Sequence, residues 1–451
     1  MIKKTGAALL AVLMSFSFVL GGCGKAPEKA ETQPPAQSEQ ANKTEEKKEI
    51  TANLRVLYPG TSETEKQWAI TLQDKVKSQL PKVNMEYMFL NWTEIEQKLA
   101  IMVNSNDYPD LTMTQDVTNF VAMKALEPLD SYLSNNESLV KADQFPKAVL
   151  DYSKIDGKLY SVPLLGITYG LAVNKARLEK VGMKPEDIKT WDDFKKAAKA
   201  MTTDGKYGYA VAAGMARFAF RDALISGLSN DLVPSDTSDA SKKKYTEMLN
   251  LYKDISPYMP AQTQVTWKYP ELFKAYCNGD VGMVATGTFF TSNVYGISPD
   301  IVKDTVMIPF PKGPSTDASK AMVANAGFGM ISGSKQKEAA WKVIEIIASE
   351  DMVADLAGAV NMPGSKGISA DKLKASAEKA YPKAFEAHIS VIDNFSKIAD
   401  QYGTPQPQIL RQPEMETIFQ GELVKLTLGK SDPDAAYAAI KAGIDKIAAK
   451  Q

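Results

Sequence analysis

The chain has 451 residues, 44% of them hydrophobic, with 53 Lys and Arg against 54 Asp and Glu. That is length for two or three domains, and the even balance leaves no basic stripe for nucleic acid. The one histidine, His388, excludes a multi-histidine zinc site.

Lys3 and Lys4 precede an apolar run, Ala7 to Leu20. It is shorter than the roughly 20 residues needed to span a bilayer and has the form of a secretory signal peptide. It ends in Leu20-Gly21-Gly22-Cys23, which resembles a bacterial lipobox. The expectation is a leader, 1–22, cut before a lipidated Cys23. The anchored chain would sit on the outer face of the bacterial cytoplasmic membrane, held stably by two or more acyl chains. Loss of Lys3 and Lys4 leaves 51 basic against 54 acidic residues, a charge of −3. Residues 24–50 carry no aromatic side chain and read as a disordered tether, spanning roughly 30 Å on average. Cys277 is then alone and reads as a small core residue.

Residues 52–58, ANLRVLY, alternate as a strand, and the turn 59–63 leads into a helix, 65–80. Residues 83–90 read as a second strand. Thr93 and Glu96 form an expected capping box, followed by Ile95, Leu99, Met102 and Val103 at helical spacing. Residues 110–115 read as a third strand. This β-α-β-α-β order predicts a parallel sheet with helices on both faces, and the loops 59–63 and 114–118, at the carboxyl ends of strands, face a ligand. Asp156-Gly157 opens a further strand that Pro163 breaks, and a new one follows at 169–174. Thr190 caps a helix with Asp193 at its third position, and Trp191 between them is a helix-start staple. Trp68 and Trp341 lie on apolar helix faces and read as core.

The blocks GKLYSVP (157–163), YGLAVNKARLEKVG (169–182) and TWDDFKKAAKAM (190–201) are followed by FKAYCNGDVGMVATGTFF (273–290), PFPKG (309–313), 327–350 and 426–447. In this order they resemble the extracellular solute-binding proteins of ABC importers, the family that includes maltose-binding protein. The resemblance covers essentially all of 51–451. It implies an α/β, two-lobed periplasmic-binding-protein-like fold with an inter-lobe ligand cleft and several hinge crossovers. Lobe one would be 51–166 plus 309–362, and lobe two 167–308 plus 363–451. Residues 164–167, 308–311 and 362–367 would be hinges that absorb closure.

Two motifs are near-misses. Gly429-Lys430-Ser431 ends like a phosphate-binding loop, but Val424 stands where that loop needs glycine; Gly429 reads as a helix cap. Residues 327–333 have Ser332 where a dinucleotide fingerprint needs glycine, and read as a strand and turn near the cleft. The importer's ATPase is therefore expected on another chain. No acid/base carboxylate pair is recognisable, and a triad would have to use His388 in an alanine-rich helix. No catalytic residue, metal or cofactor is expected.

The resemblance also directs attention to particular residues. Asp116, after the third strand, matches a family position that contacts sugar, and Gln115 lies beside it. Phe289 matches a family tryptophan that stacks on sugar. Met113 stands where the family has another aromatic, which disfavours an extended maltodextrin-like ligand. Trp267 has no periodicity placing it in the core, and Trp92 lies at the end of strand two. Arg217 and Arg411 carry planar donors suited to vicinal hydroxyls or a carboxylate; both facing the cleft would favour an acidic sugar such as a uronate. The expected function is that of a monomeric, lipid-anchored receptor passing an oligosaccharide or related sugar to an ABC permease. A surface carbohydrate-active enzyme, and the same fold binding a polyol phosphate, are the alternatives.

Overall fold

The strand segments nearest the amino end form one edge of a sheet. A computed structural model describes residues 49–449 apart from 61–62, 204 and 262–264. The leader, Cys23 and nearly all of the tether lie outside the described residues. The strands in chain order are β1 (Ala52–Pro59), β2 (Val83–Leu90), β3 (Leu111–Thr114), the short hairpin β4 (Lys154–Ile155) and β5 (Lys158–Leu159), and β6 (Val162–Asn174). Then come β7 (Tyr207–Tyr209), β8 (Val281–Gly287), β9 (Thr305–Ile308), β10 (Ala321–Met330), β11 (Met362–Pro363) and β12 (Gly403–Pro405).

β1 pairs in parallel with β2 and with β3, as the β-α-β-α-β pattern predicts. β10 returns antiparallel between β3 and β6, giving the order β2-β1-β3-β10-β6. The second sheet begins within the same strand: Tyr169–Val173 of β6 pair with β8, Leu171–Asn174 pair with β9, and β7 lies beside β8. Every residue of β6 is buried, as expected for an apolar strand covered on both faces. Gly170 is required there, because a Cβ would lie 2.5 Å from the Ile308 carbonyl oxygen.

Two local expectations fail. Pro163 does not break a strand; it lies inside β6, opposite Gly327, where the register with β10 slips between Ala326 and Gly327. A bulge is where a residue without an N–H is tolerated in a sheet. The second helix, Trp92–Asn104, is capped by Asn91 with Glu94 rather than by Thr93 with Glu96. Asn91 is the better N-cap in extended backbone, so the helix starts two residues earlier than expected.

Other local expectations hold. Thr190 and Asp193 form a capping box around a buried Trp191. Trp68 stacks with Tyr58 at 5.7 Å between ring centroids and donates to the Met352 carbonyl at 3.0 Å. Trp341 is buried and donates to Glu345. Gly429, at φ 68°, follows the end of helix Gln412–Thr427, and 327–333 is the end of β10 with a turn. Cys277 is partly buried against the core, its thiol pushed up to about 11 by burial. Among the described residues no helix is long and apolar enough to cross a membrane.

Candidate binding cleft

β3 ends at Thr114, and the chain turns through Gln115 and Asp116. Asp116 Oδ1 accepts from the Thr118 backbone N–H at 2.8 Å and from its hydroxyl. That turn fixes the carboxylate and leaves its second oxygen, Oδ2, buried without a partner. Facing it is the helix Ala216–Leu228, after β7. Arg217 and Arg221 are one turn apart and share a face. Arg217 donates to the Gln115 side-chain oxygen, joining this helix to the end of β3.

Arg221 lies among aromatic rings. Its guanidinium carbon is 5.4 Å from the Tyr169 centroid, 5.6 Å from Phe218 and 5.9 Å from Phe289. Its Nη1 donates to the Tyr269 hydroxyl at 3.4 Å. Phe218 and Tyr269 stack at 3.6 Å. The helix Gln412–Thr427 adds Gln412 and the buried Glu416, where the Gln412 amide donates to Glu416 at 2.8 Å and leaves Gln412 Oε1 buried and unpartnered.

Gln115, Asp116, Tyr169, Arg217, Arg221 and Gln412 line a cavity together with Tyr152, Ile167, Asn325 and Gln406, with about 30 Å³ open to a water-sized sphere. That holds one or two waters, so a sugar enters only when the walls separate. Burial dominates the electrostatics. It raises Asp116, helped by Glu416 and opposed by the Thr118 bonds and Arg217. Burial also raises Glu96, opposed by a bond from Asn119, and lowers Arg217, which Arg221 disfavours further. Among the described residues no cluster of His, Cys, Asp and Glu is arranged to hold a metal ion.

Of the residues singled out in the sequence, Gln115, Asp116 and Arg217 line the cavity together. Phe289 stands behind it, edge-on to Tyr169 at 6.0 Å and stacked on Tyr269 at 6.0 Å. A Cβ at Gly287 would meet the Phe289 ring at 2.7 Å, so that glycine makes room for it. Arg411 turns away: at φ 58° it caps a helix and pairs with Glu414. Trp92 packs on the cores of the first sheet and donates to Glu65 at 3.3 Å. Trp267 packs against the core cluster of the second sheet without lining the cavity. Met113 is buried core, and His388 is buried in a helix, its Nε2 2.8 Å from the Gly358 carbonyl oxygen. Sequence reasoning missed Arg221, Tyr169, Tyr269 and Gln412. The four-residue spacing from Arg217 pointed to Arg221; nothing comparable marks Gln412.

Residues 61–354 match the bacterial extracellular solute-binding protein family. A putative binding protein of Brucella abortus (strain 2308) is 25% identical over 378 residues, covering 82% of this chain and 87% of the relative. Among solved structures, the GacH receptor of Streptomyces glaucescens, crystallised unliganded and with acarbose, matches with TM-score 0.70 at 17% identity, over 88% of this chain and 98% of the other. An ABC substrate-binding protein of Listeria monocytogenes, in complex with cycloalternan, matches with TM-score 0.69 at 17% identity, over 89% of this chain and all (100%) of the other. The fold is thus the two-lobed one of these proteins, and the chain belongs to the bacterial extracellular solute-binding protein family.

Proposed function

We propose that this protein is the sugar-capturing receptor of an ABC importer. The observation that carries the reading is the cavity between the end of β3 and the helices of Arg217 and Gln412, where Asp116 Oδ2 and Gln412 Oε1 are buried acceptors without donors. Sugar hydroxyls supply such donors, and the C–H faces of a pyranose suit the ring of Tyr169, which Phe289 backs. Leaving a buried acceptor unpaired costs about 1–3 kcal/mol, which ligand hydroxyls recover on closure. The lobes, broadly 51–166 with 309–362 and 167–308 with 363–451, rotate about the crossovers. Lys312 and Ser315 are bonded to Lys189 and Asn230, which favours a second crossover nearer β10 than 308–311. The closed form docks on a permease served by a separate ATPase, and no bond in the ligand is broken. The protein acts as a monomer held at the membrane by a lipid on Cys23. Bound acarbose and cycloalternan in the similar structures support a carbohydrate ligand.

A melting-temperature screen over neutral and acidic mono- and oligosaccharides tests the reading, because a ligand that binds only the folded state raises the midpoint. A rise with one sugar, and a smaller radius of gyration in its presence, is expected; no response to any sugar sinks it. Recovery of intact ligand after long incubation separates a receptor from a carbohydrate-active enzyme. Cys23→Ser should release the chain from membranes.

A further inference from the structure

The arginines of this chain fall into two groups. Arg55 pairs with Asp107, Arg411 pairs with Glu414, and Arg177 donates to the carbonyls of Tyr207 and Met201. Arg217 and Arg221 both line the cavity, and neither has a carboxylate at ion-pair distance among the described residues. A guanidinium has five N–H donors. Against the ten donors of this pair, the protein supplies the Gln115 oxygen and one long contact to the Tyr269 hydroxyl.

From this geometry we infer that the ligand is a hydroxylated carboxylic acid of sugar size, a sugar acid, whose carboxylate is gripped by Arg217 and Arg221 while its hydroxyls donate to Asp116 and Gln412. The inference rests on the sugar-receptor reading of the same site. The cavity carries two kinds of chemistry. Around Arg221 are rings and a hydroxyl: Tyr169, Phe218, Tyr269 and Phe289. Asp116 Oδ2 and Gln412 Oε1 are acceptors only. A neutral sugar suits the acceptors but leaves most donors of the two guanidinia without a matching acceptor. A carboxylate meets a guanidinium through two parallel bonds, and two guanidinia one helical turn apart have donors for both of its oxygens. A dianionic phosphate fits less well, because Glu416, Asp116 and Glu96 already act on this cavity electrostatically. One negative charge balances the pair better than two.

The test uses the full chain and matched probes. Glucuronic, galacturonic and mannuronic acids, as monomers and short oligomers, are titrated calorimetrically beside glucose, galactose, mannose and their neutral oligomers, with glucose 6-phosphate and glycerol 3-phosphate as a third arm. The expected result is that an acid binds at least roughly tenfold more tightly than its neutral counterpart and than either phosphate. Arg221→Gln should weaken that acid by roughly thirtyfold or more, a larger factor than its effect on the neutral sugar. A neutral sugar binding as tightly as its acid overturns the inference and leaves the receptor reading standing. A phosphate binding tightest also overturns it. No response to any probe overturns both. If Arg221→Gln does not fold, the acid-to-neutral ratio in the unaltered protein decides alone.

Discussion

Arg221 and Asp222 are consecutive on one helix, yet their surroundings are opposite. Arg221 faces the cavity, among rings, with one long hydrogen bond from the protein. Asp222 is buried and accepts from two phenols, Tyr209 at 2.6 Å and Tyr252. Both tyrosines are buried, and the Ser226 hydroxyl lies 3.0 Å from that of Tyr252. The lesson concerns accounting for partners. A buried polar group with its bonds filled belongs to the scaffold, and one with bonds to spare points to what the site receives. A single residue step, about 100° around a helix, separates the two.

The contrast is sharpest in its dependence on pH. Burial raises the Asp222 carboxyl to about 6 against the bonds from both tyrosines. Burial lowers His388 to about 4, opposed by its bond to the Gly358 carbonyl. For Asp222 the folded value lies above the unfolded one, roughly 3.9, so its contribution to stability is full below about pH 4 and is lost as pH rises through about 6. For His388 the folded value lies below the unfolded one, roughly 6.5, so its contribution is full above about pH 6.5 and is lost as pH falls through about 4. Each is worth about 3 kcal/mol, and the two offset each other across that window. In Asp222→Asn the compensating arm is gone. Urea unfolding should then show about 3 kcal/mol more loss than the unaltered protein between pH 6.5 and 4. Parallel stability curves would place Asp222 with ordinary exposed carboxylates and erase the contrast.

The second test concerns the cavity side. Phe289→Ala should weaken ligand binding by about 1–3 kcal/mol, the scale of one buried aromatic side chain, or roughly ten- to a hundredfold in Kd. Its effect on the melting temperature should be modest, because Phe289 is only half buried. Unchanged affinity with a large fall in melting temperature would move Phe289 to the Asp222 side of the comparison. The smallest effect is expected from Gln115→Ala. It removes the bond from Arg217 that joins the two walls, worth about 1 kcal/mol. Small-angle scattering without ligand should show a larger radius of gyration. If size and affinity both stay the same, that bond does not hold the walls together.

Much of the scaffold was legible because it rests on repetition. β1, β2 and β3 were marked by apolar patterning between turns, Thr190 and Asp193 by side chains that cap a helix, and Gly429 by a left-handed backbone at a helix end. Pro163 misled because its tolerance depends on a register slip opposite Gly327, set by a strand about 160 residues away. The cleft was legible at Asp116 through strand-end logic and at Arg217 through the resemblance. It was not legible at Gln412: Arg411, left-handed and paired with Glu414, does not line the cavity while its neighbour does, and composition carries no trace of that choice.

β10 has a consequence for the order in which the chain acquires structure. Its residues Gly327–Met330 pair with Leu111–Thr114, and its earlier part pairs with β6. A nascent chain emerging amino end first therefore has β1, β2 and β3 available early but lacks the central strand of their sheet until more than 200 further residues have been made. Until then β3 and β6 present unpaired backbone edges, and contacts so distant in sequence form slowly. The growing polypeptide is thus held back from completing its first lobe by its own topology, and a chaperone that binds extended segments has a long interval in which to act.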